Sequence, residues 1–246
     1  MSKIKQKIIF FSLILFSAYS AITLGQTWDE GHLTRQGQIA LNYLFSLGRI
    51  DEDIFRREYY SPIYYSLKYL FLQSFPIKYH FEINHLVNLI FSFGAILGVS
   101  QICKEFFNKK VSKIVFLVLF LFPAFHGHMS FNSKDTIIAF CHVWIFYSLI
   151  KYLKNQSIKS SSKYFYNIGI LSSVGTGINL FFFGSLIPLF LFVIYDIFFG
   201  KKICIKNFKK KIFFLDILKS FFIFYFLLVL FWIDTHSNIF ILPFKL

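Results

Sequence analysis

Cysteine is almost missing from this chain. Cys103, Cys141 and Cys204 are the three present, and no Cys-x-x-Cys pair occurs. That removes the usual thiolate spacing for a metal. It also leaves no disulfide framework, because the first and last fall near the expected cytoplasmic face and the middle one inside an apolar run. Charge is scarce too. Only 15% of the 246 residues are charged, and carboxylates number 12 against 26 Lys+Arg. No repeat, low-complexity tract or interdomain linker breaks the sequence. The first apolar stretch, residues 8–24, follows Lys3, Lys5 and Lys7 and ends without a clean small-x-small cleavage site, so it reads as a retained signal-anchor helix.

Apolar side chains are what the chain has in excess: 56% hydrophobic, 22% aromatic and 37 Phe, with a mean hydropathy of +0.60. A soluble domain does not have this composition, and repeated runs of helix-spanning length predict an all-α polytopic membrane protein. Seven spans are expected, near 8–25, 83–102, 113–125, 136–153, 165–180, 182–199 and 213–233. The pair 165–199 is short for two crossings and reads equally as one span plus a re-entrant piece. The net charge of +14 invites a nucleic-acid reading, but the basic residues sit in short loops between apolar runs, so nucleic acid is excluded as a partner. Placing the N-terminus inside puts 18 of the 26 Lys+Arg on the cytoplasmic side, and this asymmetry orients the chain. The C-terminus then lies outside, as do nine of the 12 carboxylates.

The longest stretch between spans, about residues 26–81, has its own pattern. Ile39, Tyr43, Leu44 and Leu47 recur at helical spacing between polar residues, predicting an interfacial helix over 33–47 that Gly48 ends. A charged turn covers 49–58. A second interfacial helix is expected within 59–75, an aromatic segment that contains Pro62 and Lys68. A true span there would reverse every later loop.

Two polar clusters stand at the outer ends of spans. Asp29-Glu30 follows the first span, and residues 126–135, His-Gly-His-Met-Ser-Phe-Asn-Ser-Lys-Asp, join two later ones. Carboxylates at a membrane boundary are expensive and mark functional sites by default. Both clusters fall on one side, which suggests an enzyme acting on a lipid-borne substrate at the extracytoplasmic face. Asp29 is either a cap for the following helix or a general base for an acceptor hydroxyl. In the second cluster, His126, His128 and Asp135 make an unrecognised spacing for a divalent ion. A phosphate site, with Lys134 and a helix N-terminus at Asp135, is preferred.

Taken together, Asp29-Glu30, Ser61-Pro62-Ile63-Tyr64-Tyr65, Asn84-His85-Leu86-Val87-Asn88 and the run Pro123, Phe125, Gly127, His128, Asn132, Lys134, Asp135 resemble the protein O-mannosyltransferase-like, family-39-type membrane glycosyltransferases of the glycosyltransferase C superfamily. The resemblance covers about residues 1–180. It implies inverting transfer from a polyprenyl-phosphate sugar donor to a hydroxyl acceptor on protein, lipid or glycan, in a bacterial inner (plasma) membrane. It implies Asp29 as catalytic base with Glu30 in support, Asp135 as a second acidic element, and Lys134, His128, His85 and Asn132 as substrate contacts. No cofactor is implied with certainty, and a divalent metal stays open. Two departures stand out. Where the family carries an arginine after the fifth span, this chain has Thr176-Gly177-Ile178-Asn179. The family also runs to more spans, so a chain truncated at its C-terminus is expected. A transporter or flippase without chemistry, or an inactive fragment, is the alternative reading. His32, His80 and His236 are expected in interfacial polar contacts, His142 as a buried hydrogen-bonded residue, and Asp196 and Asp216 in ion pairs with nearby lysines.

Overall fold

A computed structural model describes residues 3–49, 61–156, 161–205 and 207–244, and among them every regular element is a helix. The α-helices are α1 (Lys3–Thr23), α2 (Glu30–Phe45), α3 (Ile63–Leu72), α4 (His80–Phe106), α5 (Lys109–Leu121), α6 (Pro123–His128), α7 (Asp135–Asn155), α8 (Lys163–Ile178), α9 (Phe181–Tyr195) and α10 (Lys210–Phe231). All but Arg49 of the charged turn at 49–58 lies outside the described residues, as do Lys159 and Lys206 of the basic loops.

Four of the seven expected spans fall on helices long and apolar enough to cross a membrane: Ile77–Phe106, Asp135–Asn155, Phe181–Gly200 and Lys210–Phe231. The remaining three fall on shorter apolar pieces, namely Phe10–Thr23, the 13-residue α5 and the 16-residue α8, against about 20 residues for a full crossing. Large apolar side chains stand exposed along these helices, among them Phe11, Val118, Leu191, Phe222 and Phe226. Water does not tolerate so much contiguous apolar surface, and a lipid bilayer is its natural surroundings. The 165–199 region resolves into two helices. Asn179 is extended (φ −154°, ψ 120°) and breaks the chain between α8 and α9. α5 starts within the lysine run, where the Asn108 side chain accepts from the Lys110 and Val111 N–H groups.

α4 and α7 run parallel. Gly94 faces Phe140, Gly98 faces Val143 and Trp144, and Glu105 accepts from Lys151 and Lys154 at 3.0 and 3.1 Å. Their C-terminal ends therefore gather with the basic loops at one pole of the bundle. There the buried Asp216 carboxylate accepts from Tyr152 and from Lys219. Asp196, expected in an ion pair, instead accepts the backbone N–H groups of Lys202, Ile203 and Cys204. A tight loop after a helix offers more donors in reach than any lysine side chain does. His142 also differs from expectation. It is half-buried with its ring edge-on to Phe182 at 5.7 Å.

The two helices between the first two expected spans, α2 and α3, are held at the opposite pole. α2 matches the expected amphipathic stretch, and the chain leaves it through Leu47 (φ 54°) and Gly48 (φ 78°). α3 is more enclosed than a helix resting on an interface. Ile63, Tyr64, Tyr65, Ser66, Lys68 and Leu72 are all buried, between α2, α4, α8 and α10. Close approach needs glycine on both flanks. A Cβ at Gly37 of α2 would run into the Tyr65 carbonyl, and one at Gly177 of α8 would lie 2.6 Å from the Ser61 carbonyl oxygen. Gly37→Ala is expected to lower stability by about 1–3 kcal/mol, the range for overpacking. Thermal unfolding in detergent checks this, and an unchanged midpoint would show that α2 moves aside freely.

Candidate functional site

Asp29 and Glu30 are adjacent in sequence and face opposite surroundings. A turn ahead of α2, closed by Glu30 N–H to Thr27 O (3.3 Å), turns Glu30 inward and leaves Asp29 outside. Glu30 is 1% exposed. Its carboxylate accepts from the Thr27 N–H at 2.8 Å and from Asn84 Nδ2 at 2.9 Å, and it pairs with His85 Nε2 at 2.7 Å. The other His85 nitrogen, Nδ1, lies 3.0 Å from the Ala21 carbonyl oxygen. Both ring nitrogens thus lie close to oxygens, Nε2 to the Glu30 carboxylate and Nδ1 to the Ala21 carbonyl. Burial by itself would push the Glu30 carboxyl up. The bonds from His85 and Thr27 together outweigh it and hold the group below the ordinary carboxylate value.

Asp29 occupies the N-cap position of α2, yet its side chain makes no capping bond. It accepts instead from Lys134 Nζ at 2.9 Å, across 105 residues of sequence. Both side chains are about half exposed, 56% for Asp29 and 49% for Lys134. Such an open pair contributes little to stability, at most about 1 kcal/mol, so it defines a place more than it holds the fold.

The segment carrying Lys134 is braced from within. Asn132 Oδ1 accepts the Asp135 N–H at 3.0 Å, while Asn132 Nδ2 donates to Asp135 Oδ2 at 2.9 Å and lies 3.3 Å from His128 Nδ1. Ser92 of α4 donates to the Met129 carbonyl at 2.9 Å. Between this segment and the start of α2 lies a cleft of ≈ 410 Å³, lined by Trp28, Asp29, Glu30, Asn132, Lys134 and Asp135 among others.

Of the residues picked out from sequence, then, Asp29, Glu30, Asn132, Lys134 and Asp135 come together around one cleft. His128 lies at its margin, exposed, beside Asn132. His85 lies behind Glu30, fully buried with both nitrogens engaged, and is placed to orient Glu30. His126, His128 and Asp135 do not converge. His126 stacks on Phe16 and meets the edge of Phe120, and among the described residues no three His, Cys, Asp or Glu side chains group as metal ligands. His32 contacts Gln36, His80 the Phe75 carbonyl and His236 the Val229 carbonyl.

No family profile, curated protein sequence or solved structure matches this chain.

Two residues at the cleft, Trp28 in its lining and Tyr65 behind Ser133, were given no role from sequence. Trp28 is 98% exposed on the cleft rim, an aromatic plate with nothing of the protein upon it. Tyr65 lies below, its hydroxyl beside Ser133 and raised in pKa by burial, with Asp29 and Asp135 near enough to add to the effect. The signal for Trp28 was its place, a tryptophan directly ahead of two acids at the end of an apolar run. Chemically, the cleft offers a solvent-reachable carboxylate, an ammonium at 2.9 Å from it, a second carboxylate and an aromatic platform, all beside an apolar bundle.

Proposed function

We propose that the chain is a membrane glycosyltransferase, inverting the anomeric centre as it moves a sugar from a polyprenyl-phosphate donor to a hydroxyl on protein, lipid or glycan. In this reading the bundle spans the bilayer seven times, the N-terminus is cytoplasmic, α2 and α3 lie at the outer interface, and the cleft opens extracytoplasmically in a bacterial inner membrane. The observation that carries it is the Asp29–Lys134 pair, a carboxylate free of capping duty held against an ammonium from a distant segment at the mouth of a cleft.

The chemistry follows from those groups. Asp29 takes the proton of the acceptor hydroxyl, and the freed oxygen pair attacks the anomeric carbon from the face opposite the leaving group. The bond from that carbon to the phosphate oxygen breaks, and its electrons leave with the polyprenyl phosphate. Lys134 stands where it offsets the anionic charge that grows on the phosphate, in surroundings less polar than water. Trp28 gives the sugar a face to lie against. Glu30 takes no proton in this scheme; bonded on every side, it fixes the turn that presents Asp29.

The test is sugar transfer by the purified full chain, supplied with labelled polyprenyl-phosphate sugars in liposomes. Label appearing on an acceptor supports the reading. Folded protein that transfers from no donor, while substrate crosses the vesicle membrane, would replace it with a flippase.

A further inference from the structure

A second cleft opens on a different flank of α2, and its lining shares no residue with that of the Asp29 cleft. It measures ≈ 520 Å³ and lies between α2 and the start of α4, with Leu72 and Ile77 completing it. α2 supplies a polar stripe, because Thr34, Gln38 and Asn42 recur at four-residue spacing and so share one face of the helix. Arg35 stands beside that stripe. α4 supplies His80, Phe81 and Asn84. Ile39, Leu72 and Asn84 are the buried part of the lining, while Arg35, Gln38 and Asn42 are exposed.

Two groups in this lining lack partners. Asn84 is 2% exposed, and while its Nδ2 donates to Glu30, its Oδ1 accepts from nothing among the described residues. A buried acceptor left empty disfavours the fold unless a donor reaches it. Arg35 is the other. It takes part in none of the ion pairs among the described residues, and its planar fork of donors matches a carboxylate. No Asp or Glu lines the cleft among the described residues. An entering anion therefore meets no like charge there, and no carboxylate base is present to convert it. The hydroxyl and amides of Thr34, Gln38 and Asn42 both donate and accept, which suits hydroxyl groups. The volume falls within the range of small-molecule sites, about 300–1,000 Å³.

We propose that this cleft is a binding site, separate from the Asp29 cleft, for a polyhydroxy carboxylate of monosaccharide size, such as a hexuronic acid. The carboxylate pairs with Arg35, one hydroxyl donates to Asn84 Oδ1, and others meet the α2 stripe. The two unpartnered groups make opposite demands, an anion for Arg35 and a donor for Asn84, and one molecule of this class meets both. A small inorganic anion would answer Arg35 and leave the amide stripe and most of the volume unfilled. The inference stands on this lining alone and does not need the transferase reading.

Calorimetric titration of the purified full chain with D-glucuronate tests it, beside D-glucose, which lacks the acid, and cyclohexanecarboxylate, which lacks the hydroxyls. The native chain is expected to bind glucuronate, and each comparator on the order of tenfold more weakly, the worth of one charge-assisted contact. Arg35→Gln should bind glucuronate no better than glucose. Because Arg35 is exposed, its thermal midpoint should match the native one, which separates lost binding from lost folding. No glucuronate binding by folded native protein overturns the proposal. So does equal affinity for glucose or cyclohexanecarboxylate, or for glucuronate in Arg35→Gln. Loss of glucuronate binding in Asp29→Asn would put the ligand in the other cleft and overturn it as well. Arg35-dependent glucuronate binding by a chain that transfers no sugar upholds this site and tells against the transferase reading alone.

Discussion

Asp29→Asn is expected to reduce sugar transfer by roughly 10²–10⁴-fold, the usual contribution of a positioned general base, and to leave the fold in place. The two halves of that expectation come from different features. Asparagine keeps the size of the side chain and an oxygen for Lys134, which donates to Asp29 at 2.9 Å, but it takes no proton from an acceptor. The fold is spared because the lost ion pair is half exposed on both sides and its contribution is at most about 1 kcal/mol. Initial rates with a labelled donor, measured beside thermal unfolding of the same preparation, decide it. Transfer within a few-fold of native would remove Asp29 from the role of base.

Glu30→Ala should act in the opposite manner, on the fold first. The carboxylate it removes is buried and accepts from Thr27, Asn84 and His85. Deleting one partner of a buried polar pair typically destabilises by about 3–5 kcal/mol when the pair is ionic; here the partner left behind is His85, 0% exposed. Glu30→Gln keeps one oxygen where the carboxylate offered two, one to Thr27 and one to Asn84, and should lie between native and Ala. Acid acts on the same group. The folded protein holds Glu30 below its ordinary 4.5, so between the folded value and 4.5 the unfolded chain binds more protons. The contribution of Glu30 is therefore complete above about pH 4.5 and is lost as pH falls through the lower, folded value. The gap between native and Glu30→Ala in thermal midpoint should narrow on acidification through that window. A gap that stays constant with pH would mean that the carboxylate's charge is not what the site uses.

The gross plan was readable from hydropathy because lipid-facing helices must be apolar over their whole length. The ends of α4, α7, α9 and α10 fall close to the expected limits for that reason. The short α5 and α8 were readable as helices, but not their depth or their crossing, since length is the quantity that decides crossing and theirs is marginal. The enclosure of α3 was not readable. Its apolar pattern is the same whether it rests on lipid or is wrapped by α2, α4, α8 and α10, and what permits the wrapping is two small residues, Gly37 and Gly177, far away in sequence. At the site, residue chemistry singled out Asp29, Lys134 and Asp135, but the division of labour between Asp29 and Glu30 required three dimensions. Nothing in an Asp-Glu dipeptide tells which acid turns inward; Asn84 and His85, 54 and 55 positions on, decide it. The lone lysine in the aromatic stretch of α3, Lys68, is buried beside the Tyr64 and Tyr65 rings, which its place in the sequence did not tell.

α4 holds both walls of the cleft. Asn84 and His85, in its first two turns, grip the turn that carries Asp29, and Ser92, two turns further along, grips the segment that carries Lys134. The helix therefore serves as a shared reference for two segments that would otherwise drift independently. A tilt of α4 would therefore carry both walls as one unit, and with them the carboxylate and ammonium that meet at 2.9 Å.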